Sequence, residues 1–272
     1  MIPSGRAFYK MSGSGNDFVV VDAMSSSAEE LMRPEVVQAI CARATGVGAD
    51  GLVLLQPSSS ADYKMTYLNS DGSRADLCGN ASLCSARLAS ELGLLSISEF
   101  HIETDAGILN ARLLPDGPEI DLQPVTDVQP ILPFRLGSGE RSIGFALAGV
   151  PHLVVRVEDV ATVDVRERGR PLRNDPSLAH GANVNFVSQD ATGSWRVRTY
   201  ERGVEGETLA CGTGAVATAI LLAEAGEVTD TVALTTRSGR ALRVRLARSG
   251  SGWQPSLAGE ARIVFRGTLG EL

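Results

Sequence analysis

Apolar positions along this chain fall into short runs and two long ones. The short runs, Phe18 to Asp22, Leu52 to Leu55, Leu153 to Val157, Val232 to Thr235 and Val244 to Leu246, are continuous or alternate with a period of two, which predicts strands. Turn pairs such as Asp71-Gly72 and Asp116-Gly117 separate them. Each long run directly follows a Cys-Gly pair and predicts a helix. The first covers about Asn80 to Leu92 and stops at Gly93; the second covers about Thr213 to Ala225 and stops at Gly226. The second is apolar nearly all round, so it has to be buried. Gly13-Ser14-Gly15 reads as a tight turn, because Asn16-Asp17-Phe18 stands where a dinucleotide-binding loop would open a helix.

The pattern occurs twice. Tyr67 precedes Cys78 by 11 positions and Tyr200 precedes Cys211 by 11. Cys78-Gly79-Asn80 matches Cys211-Gly212-Thr213 at an offset of 133. Thr104 to Gly107 matches Thr236 to Gly239 at 132, Asn16 to Val20 matches Val150 to Val154 at 134, and Gly46 to Asp50 matches Gly181 to Asn185 at 135. A near-constant offset of half the chain points to a duplicated unit. The expected fold class is α+β: two pseudo-symmetric domains of one fold, each a curved mixed sheet around a central helix. The expected halves are residues 1–127 and 128–263, with Gln129 to Arg141 as a linker. A C-terminal strand, beginning near Arg262 to Arg266 and covering about 264–272, could pair back with the first half.

Composition narrows the chemistry. With 272 residues and a net charge of −7, the chain can bury a real core but has no basic stripe for phosphates, so nucleic acid is not an expected partner. Its apolar runs are too short for a membrane span, and no secretory leader is visible, so a cytoplasmic, reducing location is expected. Four cysteines, Cys41, Cys78, Cys84 and Cys211, are too few for a disulfide scaffold. Zinc is not expected, because Cys78 and Cys84 lack ligand spacing and only His101, His152 and His180 are present. Both lysines, Lys10 and Lys64, lie in strand-like runs unsuited to a pyridoxal phosphate Schiff base, and no Walker loop is present. The reading therefore calls for no cofactor and no metal.

A cysteine that opens a buried helix meets unsatisfied N–H groups and the positive end of the helix dipole. That environment favours thiolate and binds carboxylate. Pseudo-symmetry predicts that the two helix ends face one shared point. There, N–H groups of Gly79, Asn80, Gly212 and Thr213 would grip a substrate carboxylate, and the two sulfurs would flank the adjacent carbon. One thiolate would remove the α-proton while the other thiol delivers a proton to the opposite face. Cys41 and Cys84 are expected to be buried packing residues.

At these residues the sequence resembles the diaminopimelate epimerase family along essentially its whole length. The stretches that carry the resemblance are Phe8 to Phe18, Gly46 to Gly51, Asn69 to Ser73, Cys78-Gly79-Asn80, Pro151-His152, Asn183 to Phe186, and Tyr200 to Gly203 through Ala210 to Gly214. The resemblance implies conversion of L,L-diaminopimelate to the meso form without cofactor or metal, in lysine and peptidoglycan synthesis, by a homodimer. It implies Cys78 and Cys211 as the acid/base pair. Gly79, Asn80, Gly212 and Thr213 would hold the reacting carboxylate. Asn16, Asn69, Asn183, Glu201 and Arg202 would bind the rest of the small amino-acid substrate, with Arg202 suited to a distal carboxylate. His152 and Glu201 would adjust the thiols. Three positions depart from the family pattern: Ala81 and Leu83 stand where Gly and Arg are common, and Val150 where Asn is. Ala81 suits a helix, Leu83 removes a charge, and Val150 removes one polar substrate contact. A related racemase of another amino acid, of the proline or histidine type, and a silent amino-acid-binding homologue remain as alternatives.

Overall fold

The computed structural model describes residues 5–271; residues 1–4, the start of the first expected half, and 272, the end of the expected C-terminal strand, lie outside the described residues. The chain divides into two compact units. One runs to Ile120 and resumes at Ala258; the other is Asp121–Leu257.

The first unit is built from β1 (Ala7–Gly13), β2 (Asn16–Asp22), α1 (Pro34–Cys41), β3 (Gly51–Gln56), β4 (Tyr63–Asn69), β5 (Arg74–Ala75), α2 (Gly79–Glu91), β6 (Glu99–Thr104), β7 (Gly107–Leu114) and β8 (Gly117–Asp121). The second carries β9 (Val128–Gln129), β10 (Glu140–Ala148), β11 (Val150–Val157), α3 (Val165–Arg173), β12 (Asn183–Gln189), β13 (Trp195–Glu201), β14 (Gly206–Thr208), α4 (Gly212–Glu224), β15 (Thr231–Thr235), β16 (Ala241–Ser249) and most of β17 (Gly252–Gly259). The last strand, β18 (Arg262–Thr268), returns to the first unit and pairs antiparallel with β1.

Both units follow one topology. In the first, β1/β2 is antiparallel, β2/β3 parallel, β3/β4 antiparallel, β4/β6 parallel and β6/β7 antiparallel. The second repeats this sequence with β10/β11, β11/β12, β12/β13, β13/β15 and β15/β16. Each parallel step is spanned by a helix, α1 and α2 in the first unit and α3 and α4 in the second, as a parallel connection requires.

Helices on both faces explain why strands such as Phe18-Val19-Val20-Val21 are apolar without alternation. Val19, Val21, Leu52 and Leu54 join the cluster of α1 residues Val36, Val37 and Ile40. With a period of two, Phe18, Val20, Val53 and Leu55 take the opposite face, and all four are buried. In the second unit Leu153, Val155, Val184, Phe186 and Tyr200 pack with Val165 and Leu172 of α3. His152, Val154, Asn185 and Thr199 consequently face the α4 side.

The Gly13-Ser14-Gly15 turn closes the β1/β2 hairpin, with Gly13 opposite Asn16 and Ser14 and Gly15 at φ 54° and 123°. The segment 129–141 is not a free linker. Leu132 donates its amide to Ile143, and Leu132 and Phe134 pack against the core of the second unit, because apolar side chains in a connection are drawn onto available apolar surface.

α2 and α4 are equivalent 13-residue helices beginning one residue earlier than the sequence pattern predicts, at Gly79 and Gly212. Both end in the same way: Gly93 and Gly226 sit at φ 71° and 72°. The amides of Gly93 and Leu94, and of Gly226 and Glu227, close back on the last carbonyls. This cap needs a left-handed residue, and glycine alone adopts that conformation without a Cβ penalty. Gly214 through Leu222 are all buried, as an all-round apolar helix must be.

Candidate active site

Cys78 and Cys211 are the N-caps of α2 and α4, at φ −134°, ψ 114° and φ −136°, ψ 111°. Extended backbone at an N-cap turns the side chain across the open first turn. All four cysteines are reduced, but their settings differ. Cys41 and Cys84 are buried. Burial pushes the Cys41 thiol up to about 12 and raises that of Cys84 further, which keeps both protonated and inert. Cys78 and Cys211 are half-buried, open enough to meet a ligand.

Around Cys78 the first unit gathers amides. Asn80, in the first turn of α2, is buried and donates through Nδ2 to Asn16 Oδ1 at 2.7 Å. Asn16 donates through its own Nδ2 to Asp50 Oδ2 at 3.0 Å. Arg43 joins Asp50 to Asp17, and Lys10 binds Asp17 and the Gly48 carbonyl. Oδ1 of Asn80 is buried without a protein partner, so it is open to an N–H of a ligand. Asn69 lies at the adjacent end of β4, opposite Gly51. Its side chain donates to Ser73 Oγ within the turn it begins, and it is not in hydrogen-bond contact with Asn16 or Asn80. Ala81 and Leu83 are fully buried, so this position 83 offers packing and no room for an ion.

Around Cys211 the second unit arranges the corresponding groups. The Gly214 amide donates to Cys211 Sγ at 3.4 Å, and Thr213 Oγ1 lies 3.6 Å from that sulfur. Asn183 opens β12 opposite His152 on β11, and its Oδ1 accepts from the Arg202 amide at 2.7 Å. Glu201 and Arg202 close β13 and the turn after it. The Arg202 guanidinium is anchored to the His180 carbonyl at 3.0 Å. His152 is fully buried, and desolvation, helped by the Arg202 charge, lowers it to about 3. It is therefore neutral at any physiological pH. Val150, at the start of β11, contributes no polar group to this cluster.

Two residues escape the sequence reading. Asp50 holds the Asn16 amide. Asn185 is fully buried and bonds His152, Leu153 and Thr199. The signal was present in Asn183-Val184-Asn185-Phe186, where two polar residues share one face of a buried strand. Lys10 and Lys64 lie in β1 and β4 and are ion-paired with Asp17 and Glu103. Among the described residues no group of three or more His, Cys, Asp or Glu side chains could hold a metal ion, and no helix is long and apolar enough to cross a membrane.

Two copies of one mixed-sheet unit, each with a cysteine at the N-cap position of its buried helix, define a duplicated epimerase-type fold. The sequence pattern of the diaminopimelate epimerase family matches residues 8–127 and 145–261. The diaminopimelate epimerase of Gemmatimonas aurantiaca is 49% identical, over 98% of this chain and 100% of its own. That of Aquifex aeolicus is 40% identical over 97% of this chain and 98% of its own. The chain belongs to the diaminopimelate epimerase family, a family of isomerases. Among solved structures, a PhzF-family phenazine biosynthesis protein of Bacillus anthracis has the same fold, with a TM-score of 0.74 at 17% identity over 98% of this chain and 99% of its own. A hydroxyproline epimerase of Agrobacterium vitis aligns with a TM-score of 0.70 at 18% identity over 97% of this chain and 92% of its own.

Proposed function

We propose that this protein converts L,L-diaminopimelate to the meso form, with Cys78 and Cys211 as the acid/base pair. One thiolate removes the α-hydrogen as a proton and becomes a thiol. The other thiol places its proton on the opposite face and becomes a thiolate. Atoms and charge balance without a redox partner, so the chemistry calls for neither cofactor nor metal. The observation that carries the reading is the pair of matching cysteine N-caps, in a chain 49% identical to a diaminopimelate epimerase.

The hard step is the acidity gap between a thiol, near ~8.5 unperturbed, and an α-proton. Stabilising the charge that builds on the substrate carboxylate narrows it. The first-turn amides of Gly79, Asn80, Gly212 and Thr213 supply donors fixed in place by the helices. Asn16, Asn69, Asn183, Glu201 and Arg202 bind the amino groups and the distal carboxylate, while His152 and Glu201 adjust the thiols. A distal carboxylate matches the Arg202 guanidinium. The enzyme acts in the cytoplasm as a homodimer, in lysine and peptidoglycan synthesis.

The test is incubation of the pure protein with L,L-diaminopimelate in heavy water. Formation of the meso isomer with deuterium at the α-carbon is the expected result. Wash-in with proline, 4-hydroxyproline or histidine but none with diaminopimelate would reject the substrate.

A further inference from the structure

The amide of Asn185 is read without ambiguity from its neighbours. A backbone carbonyl can only accept a hydrogen bond. The side-chain atom 3.0 Å from the Leu153 carbonyl is therefore the nitrogen, Nδ2. Oδ1 accepts from Thr199 Oγ1 at 2.9 Å. The same Nδ2 lies 3.2 Å from His152 Nδ1. An amide nitrogen has no lone pair to offer, so His152 Nδ1 must be the acceptor. In a neutral imidazole the proton then resides on Nε2.

Nε2 is buried and meets no protein acceptor. Leaving such a donor unmade is unfavourable, because it has given up water for nothing. A ligand that brings an acceptor recovers that cost on binding. Asn185 itself is wedged in place. A Cβ on Gly214, in the first turn of α4, would come within 2.3 Å of Asn185 Oδ1 and 3.2 Å of Cys211 Sγ. One side chain thus ties β11, β12 and β13 to the helix end that Cys211 caps.

We propose that Asn185 is a positioning residue that fixes the His152 tautomer, so that Nε2–H is a permanent hydrogen-bond donor toward an anionic acceptor at the site, a carboxylate or a thiolate. His152 then cannot take a thiol proton through Nε2; it stabilises the anion that forms. This role in turnover rests on the proposed epimerase activity, whereas the tautomer does not.

The experiment is nitrogen NMR of the full-length protein labelled with 15N-histidine, with His101 and His180 assigned by substitution. His152 is expected to show an unprotonated Nδ1 and a protonated Nε2, unchanged from about pH 6 to 8. An Nδ1–H tautomer, or an imidazolium, would overturn the proposal without any variant. In Asn185→Asp the carboxylate accepts from Nδ1–H, and the ring proton is expected to appear there. With the tautomer reversed, kcat should fall at least about tenfold while KM moves less than about threefold. An Asn185→Asp protein with the proton moved and kcat unchanged would overturn the role in turnover. Wild-type protein with the expected tautomer but no action on diaminopimelate would sink the proposed function and leave the tautomer standing. Turnover with the opposite tautomer would do the reverse.

Discussion

The amide of Gly214 points at the sulfur of Cys211 across 3.4 Å, so the first turn of α4 holds its own capping side chain. That turn has no spare room, because a Cβ at 214 would meet Asn185 Oδ1 at 2.3 Å. Alanine is the better helix former by about 1 kcal/mol, yet overpacking of this kind costs about 1–3 kcal/mol. Gly214→Ala should therefore lower the melting temperature and reduce kcat together. A more stable, fully active Gly214→Ala protein would contradict the tight fit.

Cysteine substitutions should separate into two groups. Cys78→Ser or Cys211→Ser should cut epimerisation by at least about 100-fold, the usual worth of a positioned acid or base. Cys41→Ala and Cys84→Ala remove buried sulfurs whose thiols burial keeps protonated. They should lose stability but keep kcat per folded molecule. Full turnover by the Cys211→Ser enzyme, measured by circular dichroism of the product, would exclude the paired mechanism.

Lys10 and Arg43 both bind Asp17, but they should not matter equally. The Lys10 side chain is 10% exposed and that of Arg43 63%. Removing Lys10 takes a charged donor from the buried Gly48 carbonyl and from Asp17, which keeps Arg43, and costs about 1–3 kcal/mol, while an exposed pair is worth about 0–1 kcal/mol. Chemical denaturation of Lys10→Met and Arg43→Ala should show that gap. Equal losses would mean that solvent reaches Lys10 more freely than its burial implies.

Acid should destabilise the fold partly through His152. Burial first, and the Arg202 charge second, lower its folded pKa to about 3 from an ordinary 6.5. Between those values the unfolded chain binds a proton that the folded chain refuses, so stability is complete above the unfolded value and falls as pH drops. The loss approaches about 1.4 kcal/mol per pH unit from this group alone. A His152→Gln variant should show a shallower decline in stability between pH 6.5 and pH 3, followed by urea unfolding. Parallel declines would mean that the imidazole is protonated in the folded state.

Legibility followed the range of the interactions. Cys78, Cys211, Gly93 and Gly226 were readable as helix ends because a cap is settled by residues one turn apart. The linker reading at 129–141 failed where Leu132 and Phe134 met a core assembled from strands far along the chain. Asn69 illustrates the same limit. Its place in a conspicuous motif was plain, but its hydrogen bond to Ser73 depends on the turn's actual conformation.

The sequence by itself determined the duplication and the two helices that each follow a cysteine, since both are written in spacing and local propensity; the residues expected beside each cysteine came from the resemblance to a family. Tertiary structure decided which polar side chains meet: Asn16 with Asn80 and Asp50, and Asn185 with His152 and Thr199. Those contacts join strands whose order comes from parallel crossovers and a shared buried face. Only the folded sheet brings such distant positions within the roughly 3 Å at which a hydrogen bond forms.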